Sequence, residues 1–156
     1  MAQQQAQTIY DALIAFDPAH QADYQANYTE LTDEITQLGT DMETILSPAA
    51  GKSFIASYPA WAYFAREYNL EMHSVADLYD TLADDAHLAT LAGIMQENGM
   101  GVVFVHQEFE NTQANNLVAQ VHGRTIPLNP FNPSWANNIR SVALLIEAVL
   151  NVPPTE

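Results

Sequence analysis

Residues 101–106 read Gly-Val-Val-Phe-Val-His, and this apolar run is the clearest buried strand in the chain. On either side, short apolar runs alternate with longer segments of helical spacing. Strands are predicted at 52–58, 71–75 and 125–128, helices at 60–68, 86–98, 111–121 and 134–150, and a helical turn at 77–82. Such alternation is typical of a parallel sheet covered by helices on both faces. We therefore predict an α/β fold with a four-stranded, mostly parallel sheet flanked by helices.

Single residues predict where several of these elements end. Asn69 is expected to stop its helix in the left-handed conformation, and Ser134 is expected to cap the last helix. Pro127 cannot donate a backbone hydrogen bond, which favours a position in an edge strand or at a strand end for residues 125–128.

The first 48 residues predict two helices that precede the sheet. Residues 2–16 have the spacing of an amphipathic helix, and Asp17-Pro18 closes it and opens a longer one. Along the longer helix, apolar residues recur at alternating steps of four and three: Tyr24, Tyr28, Leu31, Ile35, Leu38, Met42 and Ile45. We interpret it as a long amphipathic spine helix. The predicted domains are 1–48 for the two helices, 49–152 for the α/β lobe and 153–156 for a tail.

The same spacing also fits a coiled-coil seam. A seam formed by Tyr28, Leu31, Ile35 and Leu38 would join two copies of the chain. Homodimerisation is therefore an alternative interpretation of this stripe.

Charge and composition exclude several classes of function. Nineteen acidic residues stand against four basic ones, and a net charge of −15 repels nucleic acids and anionic lipids. The chain has no cysteine, which removes disulfides and thiolate chemistry. No apolar run reaches the roughly 20 residues of a membrane-spanning helix. The opening Met-Ala-Gln-Gln-Gln lacks the features of an export signal, so a cytoplasmic location stays open.

Four segments together resemble one protein family. They are residues 17–20 (Asp-Pro-Ala-His), 58–70 (Tyr-Pro-Ala-Trp-Ala-Tyr-Phe-Ala-Arg-Glu-Tyr-Asn-Leu), 103–109 (Val-Phe-Val-His-Gln-Glu-Phe) and 128–131 (Leu-Asn-Pro-Phe). In this order they resemble the C-terminal lobe and spine helix of the zinc- and manganese-binding solute-binding proteins of ABC transporters, the TroA-like family. The resemblance implies a periplasmic or extracellular receptor lobe that works with a partner lobe and an ABC permease.

The resemblance also implies where metal ligands would stand. The family's first ligand in this lobe, a His or Glu, falls at Tyr58, and its second, an Asp, falls at Asn129. A neutral phenol and an amide are poor ligands for zinc or manganese, so metal binding is expected to be weak or absent. His106 stands where the family usually has Glu, and with Glu108 it completes the candidate ligands at the carboxyl ends of the strands.

Other interpretations of the same residues remain open. His106 either binds a ligand or hydrogen-bonds a neighbouring strand end or loop. The cleft either holds a metal or takes a non-metal small ligand through Tyr58, His106 and Asn129, or the chain is a non-catalytic interaction or structural module. The remaining histidines are expected to be solvated or to cap backbone groups: His20, His73, His87 and His122. No nucleophile elbow, P-loop, dinucleotide-binding glycine motif or His-Glu-x-x-His motif occurs, so no enzyme is expected.

Overall fold

The computed structural model describes residues 2–77, 83–109 and 111–151. It divides into two compact units, Met1–Thr44 and Ile45–Glu156, and each is described by itself. Most of the helical turn predicted at 77–82, and the tail predicted at 153–156, lie outside the described residues.

The first unit is built from two helices, as the sequence predicts. Helix α1 spans Ala2–Phe16 and is followed by a 3₁₀ turn at Pro18–His20. Helix α2 spans Gln21–Leu46, so its 26 residues extend about 39 Å at 1.5 Å per residue. The predicted long helix is confirmed.

Asp17-Pro18 closes α1 and opens the next helical segment, as predicted, but the Asp17 side chain makes no capping bond with a backbone N–H group. Its carboxylate instead accepts hydrogen bonds from the Tyr24 hydroxyl at 3.1 Å and from Nδ1 of His20 at 2.7 Å. The bond to this carboxylate raises the pKa of the Tyr24 phenol above its ordinary value, because it favours the protonated phenol.

Helix α1 packs on α2 through aromatic and polar contacts. The Tyr10 and Tyr28 rings stack with their centroids 4.8 Å apart, and the Tyr28 hydroxyl donates to Oε1 of Gln7 at 2.7 Å. Two apolar residues of α1 nevertheless stay in solvent, because Ile9 is 60% exposed and Phe16 is 90% exposed. The amphipathic pattern therefore predicts the helix correctly but not the burial of its apolar residues.

The second unit contains the sheet and its helices. Its strands and helices are β1 (Ser53–Ala56), α3 (Ala62–Glu67), β2 (Glu71–Ser74), α4 (Asp85–Glu97), β3 (Val102–His106), α5 (Thr112–Ala119), β4 (Arg124–Leu128) and α6 (Trp135–Leu150). The four strands are ordered β2-β1-β3-β4, and every neighbouring pair is parallel. This confirms the predicted α/β fold. It also confirms the edge position of Pro127, which lies in β4.

The core lies on both faces of the sheet, as alternating side chains require. Ile55 and Val103 belong to a buried cluster with residues of α4 and α5, including Leu91, Met95 and Leu117. The neighbours of these strand residues, the buried Phe54 and Phe104, point to the opposite face, where their rings meet edge to face with centroids 5.8 Å apart. The central strands β1 and β3 are thus covered on both faces.

The predicted turn residues have mixed outcomes. Asn69 ends its helix with a φ of 54°, which confirms its left-handed stop. Ser134 occupies the N-cap position of α6 but makes no capping bond with its side chain, so that prediction is wrong. At Gly123 the backbone passes so close to Gly101 that an added Cβ would lie 2.3 Å from the carbonyl oxygen of Gly101. Only glycine fits there without moving β3 or β4.

Candidate functional site

The carboxyl ends of β1 and β3 are joined by backbone hydrogen bonds that continue past the strands. The Ser57 N–H donates to the carbonyl of Phe104 at 2.7 Å, and the Ser57 hydroxyl oxygen accepts from the His106 N–H at 3.3 Å. These bonds place Tyr58, the next residue after Ser57, beside the end of β3. Tyr58 and His106 line one cavity of about 10 Å³, together with residues that include Trp61.

The cavity is small and mostly walled by apolar groups. About 10 Å³ is close to the smallest space that holds one water molecule. Its other lining residues are Ala56, Ser57, Ala60, Phe104, Val105 and Leu128. The space therefore fits a single atom of the size of oxygen.

Aromatic rings surround the His106 imidazole. The Phe109 ring stacks on it with a centroid distance of 4.3 Å and an interplanar angle of 22°. The Phe131 ring meets it at 5.3 Å, and the Tyr58 ring meets Phe109 edge to face at 5.6 Å. We call Tyr58, His106, Phe109 and Phe131 the aromatic cluster.

The two nitrogens of His106 have different environments. Nδ1 accepts a hydrogen bond from the Glu108 N–H at 3.2 Å. Nε2 is buried and has no hydrogen-bond partner within the part of the chain that the structure describes. The side chain as a whole is only 5% exposed. A buried polar atom of this kind is uncommon, because leaving it unpaired costs free energy.

The Asn111 side chain holds the loop after β3 against the end of that strand. The Asn111 amide group donates to the carbonyls of His106 at 2.9 Å and of Phe109 at 2.8 Å. The Phe109 N–H also points back to the His106 carbonyl at 3.4 Å. The loop therefore folds back over the strand end, which brings Phe109 onto the imidazole.

The two remaining candidate ligands take part in local contacts. The side-chain oxygen of Asn129 accepts from the Phe131 N–H at 2.8 Å, and its carbonyl accepts from the Asn138 amide at 2.8 Å. These bonds turn the chain after β4 so that Phe131 contacts His106. Glu108 is exposed, and its backbone N–H is the group that contacts His106.

The other histidines are bonded or exposed. His20 pairs with Asp17 at 2.7 Å, and His73 lies 3.6 Å from the Glu71 carboxylate. The Nε2 atom of His87 is 2.9 Å from the Ser74 carbonyl, and His122 is exposed. Among residues 2–77, 83–109 and 111–151, no group of three or more His, Cys, Asp or Glu is arranged to hold a metal ion.

Comparison with known proteins identifies the family. The family model described as zinc-uptake complex component A, periplasmic (ZnuA), matches residues 1–147. The chain belongs to the ZnuA family. This confirms the resemblance to the metal-binding solute-binding proteins of ABC transporters, and it agrees with the lobe-like fold of the second unit.

Individual members of the ZnuA family share modest identity with the chain. The high-affinity zinc uptake system protein ZnuA of Bacillus subtilis (strain 168) is 26% identical over 130 residues, which are 83% of this chain and 41% of that protein. A crystal structure of ZnuA superposes with a TM-score of 0.89 at 28% identity, covering 96% of this chain and 58% of that chain.

A more distant relative shares the fold. The periplasmic zinc-binding protein TroA of Treponema pallidum superposes with a TM-score of 0.79 at 15% identity, covering 92% of this chain and 58% of that chain. The chain thus spans about half the length of the ZnuA-family proteins that it matches. In the described segments, no helix combines the length and the apolarity needed to cross a membrane.

The donor set fits a zinc site poorly. A closed zinc site needs about four nitrogen, sulfur or charged oxygen ligands. The cavity is lined by one imidazole and one phenol, while the Asn129 amide oxygen is already bonded to the Phe131 N–H and Glu108 is exposed outside the cavity. The contacts therefore do not form a metal site by themselves.

Sequence reasoning missed the parts of the site that enclose His106. Phe109 and Phe131 follow the strand ends by three residues each and belong to the quoted motifs, but neither was singled out as a site residue. Ser57 and Asn111 were missed as well. The sequence signal that could have found these residues is an aromatic, hydroxyl or amide side chain within five positions of the end of a predicted strand.

Proposed function

We propose that this chain is one lobe of a ZnuA-type solute-binding receptor that passes zinc or manganese to an ABC permease in the periplasm or outside the cell. The observation that carries the proposal is the pairing of Tyr58 with His106 around one cavity in a chain that matches the family over residues 1–147. Tyr58 and His106 lie at the carboxyl ends of parallel strands, and ligands of parallel sheets bind at that edge.

The lobe binds its cargo weakly on its own. Tyr58 and Asn129 provide a phenol and an amide, which are poor ligands for zinc or manganese. The remaining ligands of a complete site therefore come from a partner lobe. The role that we propose is binding and delivery, in line with the zinc-uptake proteins of the ZnuA family.

The partners that we propose are an ABC permease and a second receptor lobe. The homodimer seam is the weaker arrangement, because two of its four residues are already occupied or covered. Tyr28 stacks on Tyr10 of the same chain, and Leu38 is only 7% exposed. Only the other two seam residues could contact a second copy of the chain: Leu31, which is 38% exposed, and the half-buried Ile35.

Thermal unfolding of chelator-treated protein with added zinc or manganese tests the proposal. With a Kd of 100 μM or weaker, 100 μM metal stabilises the protein by about 0.4 kcal/mol or less. For a chain of this size that raises Tm by about 1–2 °C at most. Tyr58→Phe, which removes the phenol oxygen and keeps the ring, is the matched variant, and we expect it to remove this small rise. A rise of about 5 °C or more in the wild type would contradict the proposed loss of ligands.

A further inference from the structure

The proton on the His106 imidazole can be located from its hydrogen bonds. The Glu108 backbone N–H can only donate, and it points to Nδ1 at 3.2 Å. Nδ1 must therefore carry the lone pair. In a neutral imidazole one nitrogen carries the proton and the other accepts, so the proton lies on Nε2.

We infer that His106 serves as a hydrogen-bond donor that holds one uncharged oxygen atom in the strand-end cavity, and not as a metal ligand. The inference uses the site of the proposed function and names what this chain contributes to it. The Nε2–H group is buried and lacks an acceptor among the described residues, so it has a donor to offer. The cavity that His106 lines has room for about one atom of that size.

The arrangement is the reverse of the one that metal-binding histidines have. A histidine that binds a metal through one nitrogen almost always donates the N–H of the other nitrogen to a carboxylate or carbonyl. Here the other nitrogen accepts from the Glu108 N–H. Metal binding through Nε2 would move the imidazole proton to Nδ1. The Nδ1–H group would then face the Glu108 backbone N–H, which is also a donor, and the hydrogen bond between them would be lost.

The charge of the chain favours a neutral acceptor over an anion. The net charge of −15 repels free anions, and the exposed Glu108 stands next to the site. The aromatic cluster provides apolar walls around the imidazole. The oxygen is therefore that of water or of an uncharged carbonyl group.

Long-range ¹H–¹⁵N correlation spectra of the histidine side chains test this directly at pH 8, above the ordinary titration range of imidazole. We expect His106 to be fixed as the Nε2–H tautomer, while the exposed His122 interconverts between both tautomers in the same spectrum. Addition of 100 μM zinc should leave the His106 signals in place. A dominant Nδ1–H form, or displacement of the Nε2 proton by zinc, would overturn the inference.

Two substitutions of Glu108 test whether its backbone N–H fixes the tautomer of His106. Glu108→Ala keeps the backbone N–H and should leave the tautomer unchanged, whereas Glu108→Pro removes that N–H and should populate the Nδ1–H form. A changed tautomer in Glu108→Ala would contradict the assignment. If Glu108→Pro does not fold, the wild-type spectrum still decides the question.

The source of the oxygen can be separated in the same experiment. Titration with N-methylacetamide should shift the His106 Nε2 signal if a carbonyl occupies the cavity, and should leave it unchanged if water does. This outcome does not depend on whether added zinc or manganese changes the thermal stability of the chain. The inference and the proposed function can therefore fail separately.

Discussion

Replacing Gly123 with alanine tests the pairing of β3 with β4, because the structure predicts a direct clash. The new Cβ would lie 2.3 Å from the Gly101 carbonyl oxygen and 2.8 Å from its carbonyl carbon. Both atoms are backbone, so no flexible side chain can move aside. The same oxygen accepts the Arg124 N–H at 2.8 Å, and parting the strands by about 1 Å would break that bond.

The cost can be worked out from these contacts. Overpacking of this kind costs about 1–3 kcal/mol, and loss of one backbone hydrogen bond adds about 0.5–1.5 kcal/mol. Alanine also restricts the unfolded chain, which raises the free energy of unfolding by about 0.4–1 kcal/mol and offsets part of this cost. The net expectation is a decrease of about 0.5–4 kcal/mol in the free energy of unfolding, measured by urea denaturation.

Gly93→Ala is the matched control. Gly93 lies inside α4 with no atom within 4 Å of an added Cβ, so the change removes a flexible residue from a helix without a clash. We expect it to raise stability by about 0.5–1 kcal/mol. If Gly123→Ala proved neutral or stabilising like Gly93→Ala, the close approach of Gly101 and Gly123 would be refuted, and with it this strand register.

Three further predictions concern other parts of the chain. Asp84→Ala removes the N-cap bond that the Asp84 carboxylate accepts from the His87 N–H at 2.8 Å. It should lower the free energy of unfolding by about 1 kcal/mol in urea denaturation, whereas Asp33→Ala at an exposed position should lower it by less than about 0.5 kcal/mol. Equal effects of the two changes would contradict the cap. Ile146→Ala, at a residue with 0% exposure, should cost about 2–5 kcal/mol, against about 0.5 kcal/mol or less for Leu144→Ala at 54% exposure; a small effect at Ile146 would argue against the packing of α6. Light scattering should give the mass of one chain for both the wild type and Leu31→Gln; a dimer that Leu31→Gln dissociates would instead support the seam.

The fold was largely predictable because its signals are local. The run Val102–His106 is apolar and β-branched, and the helices between strands have regular spacing, so element type and order follow from the sequence. Strand ends were less certain: the predicted strand at 52–58 is observed as Ser53–Ala56. Burial in α1 was not predictable either, because it depends on what covers Ile9 and Phe16 rather than on their spacing.

The proximity of Tyr58 and His106 was predictable, but the hydrogen bonds around them were not. Parallel strands end at one edge, so the proximity of Tyr58 and His106 follows from topology. The proton position on His106 depends on the direction of one N–H in the loop after β3, and residue types do not encode that direction. The involvement of the Asn129 oxygen in its own turn is equally invisible before the loop geometry is known.

We propose that this chain retains the position of a ZnuA-type site, with Tyr58 and Asn129 standing where the family has its ligands. Zinc-dependent thermal unfolding of the double variant Tyr58→His, Asn129→Asp is the decisive experiment. The matched control is Tyr63→His, Asn137→Asp, which adds the same groups at exposed positions of two helices.

We expect the first pair to bind zinc with a Kd of about 10 μM, because only two of about four ligands are restored. At 100 μM zinc that affinity stabilises the protein by about 1.4 kcal/mol and raises Tm by about 3–6 °C. The control pair should rise no more than the wild type. Equal responses of the two pairs would contradict the claim that residues 58 and 129 occupy the positions of the family's ligands.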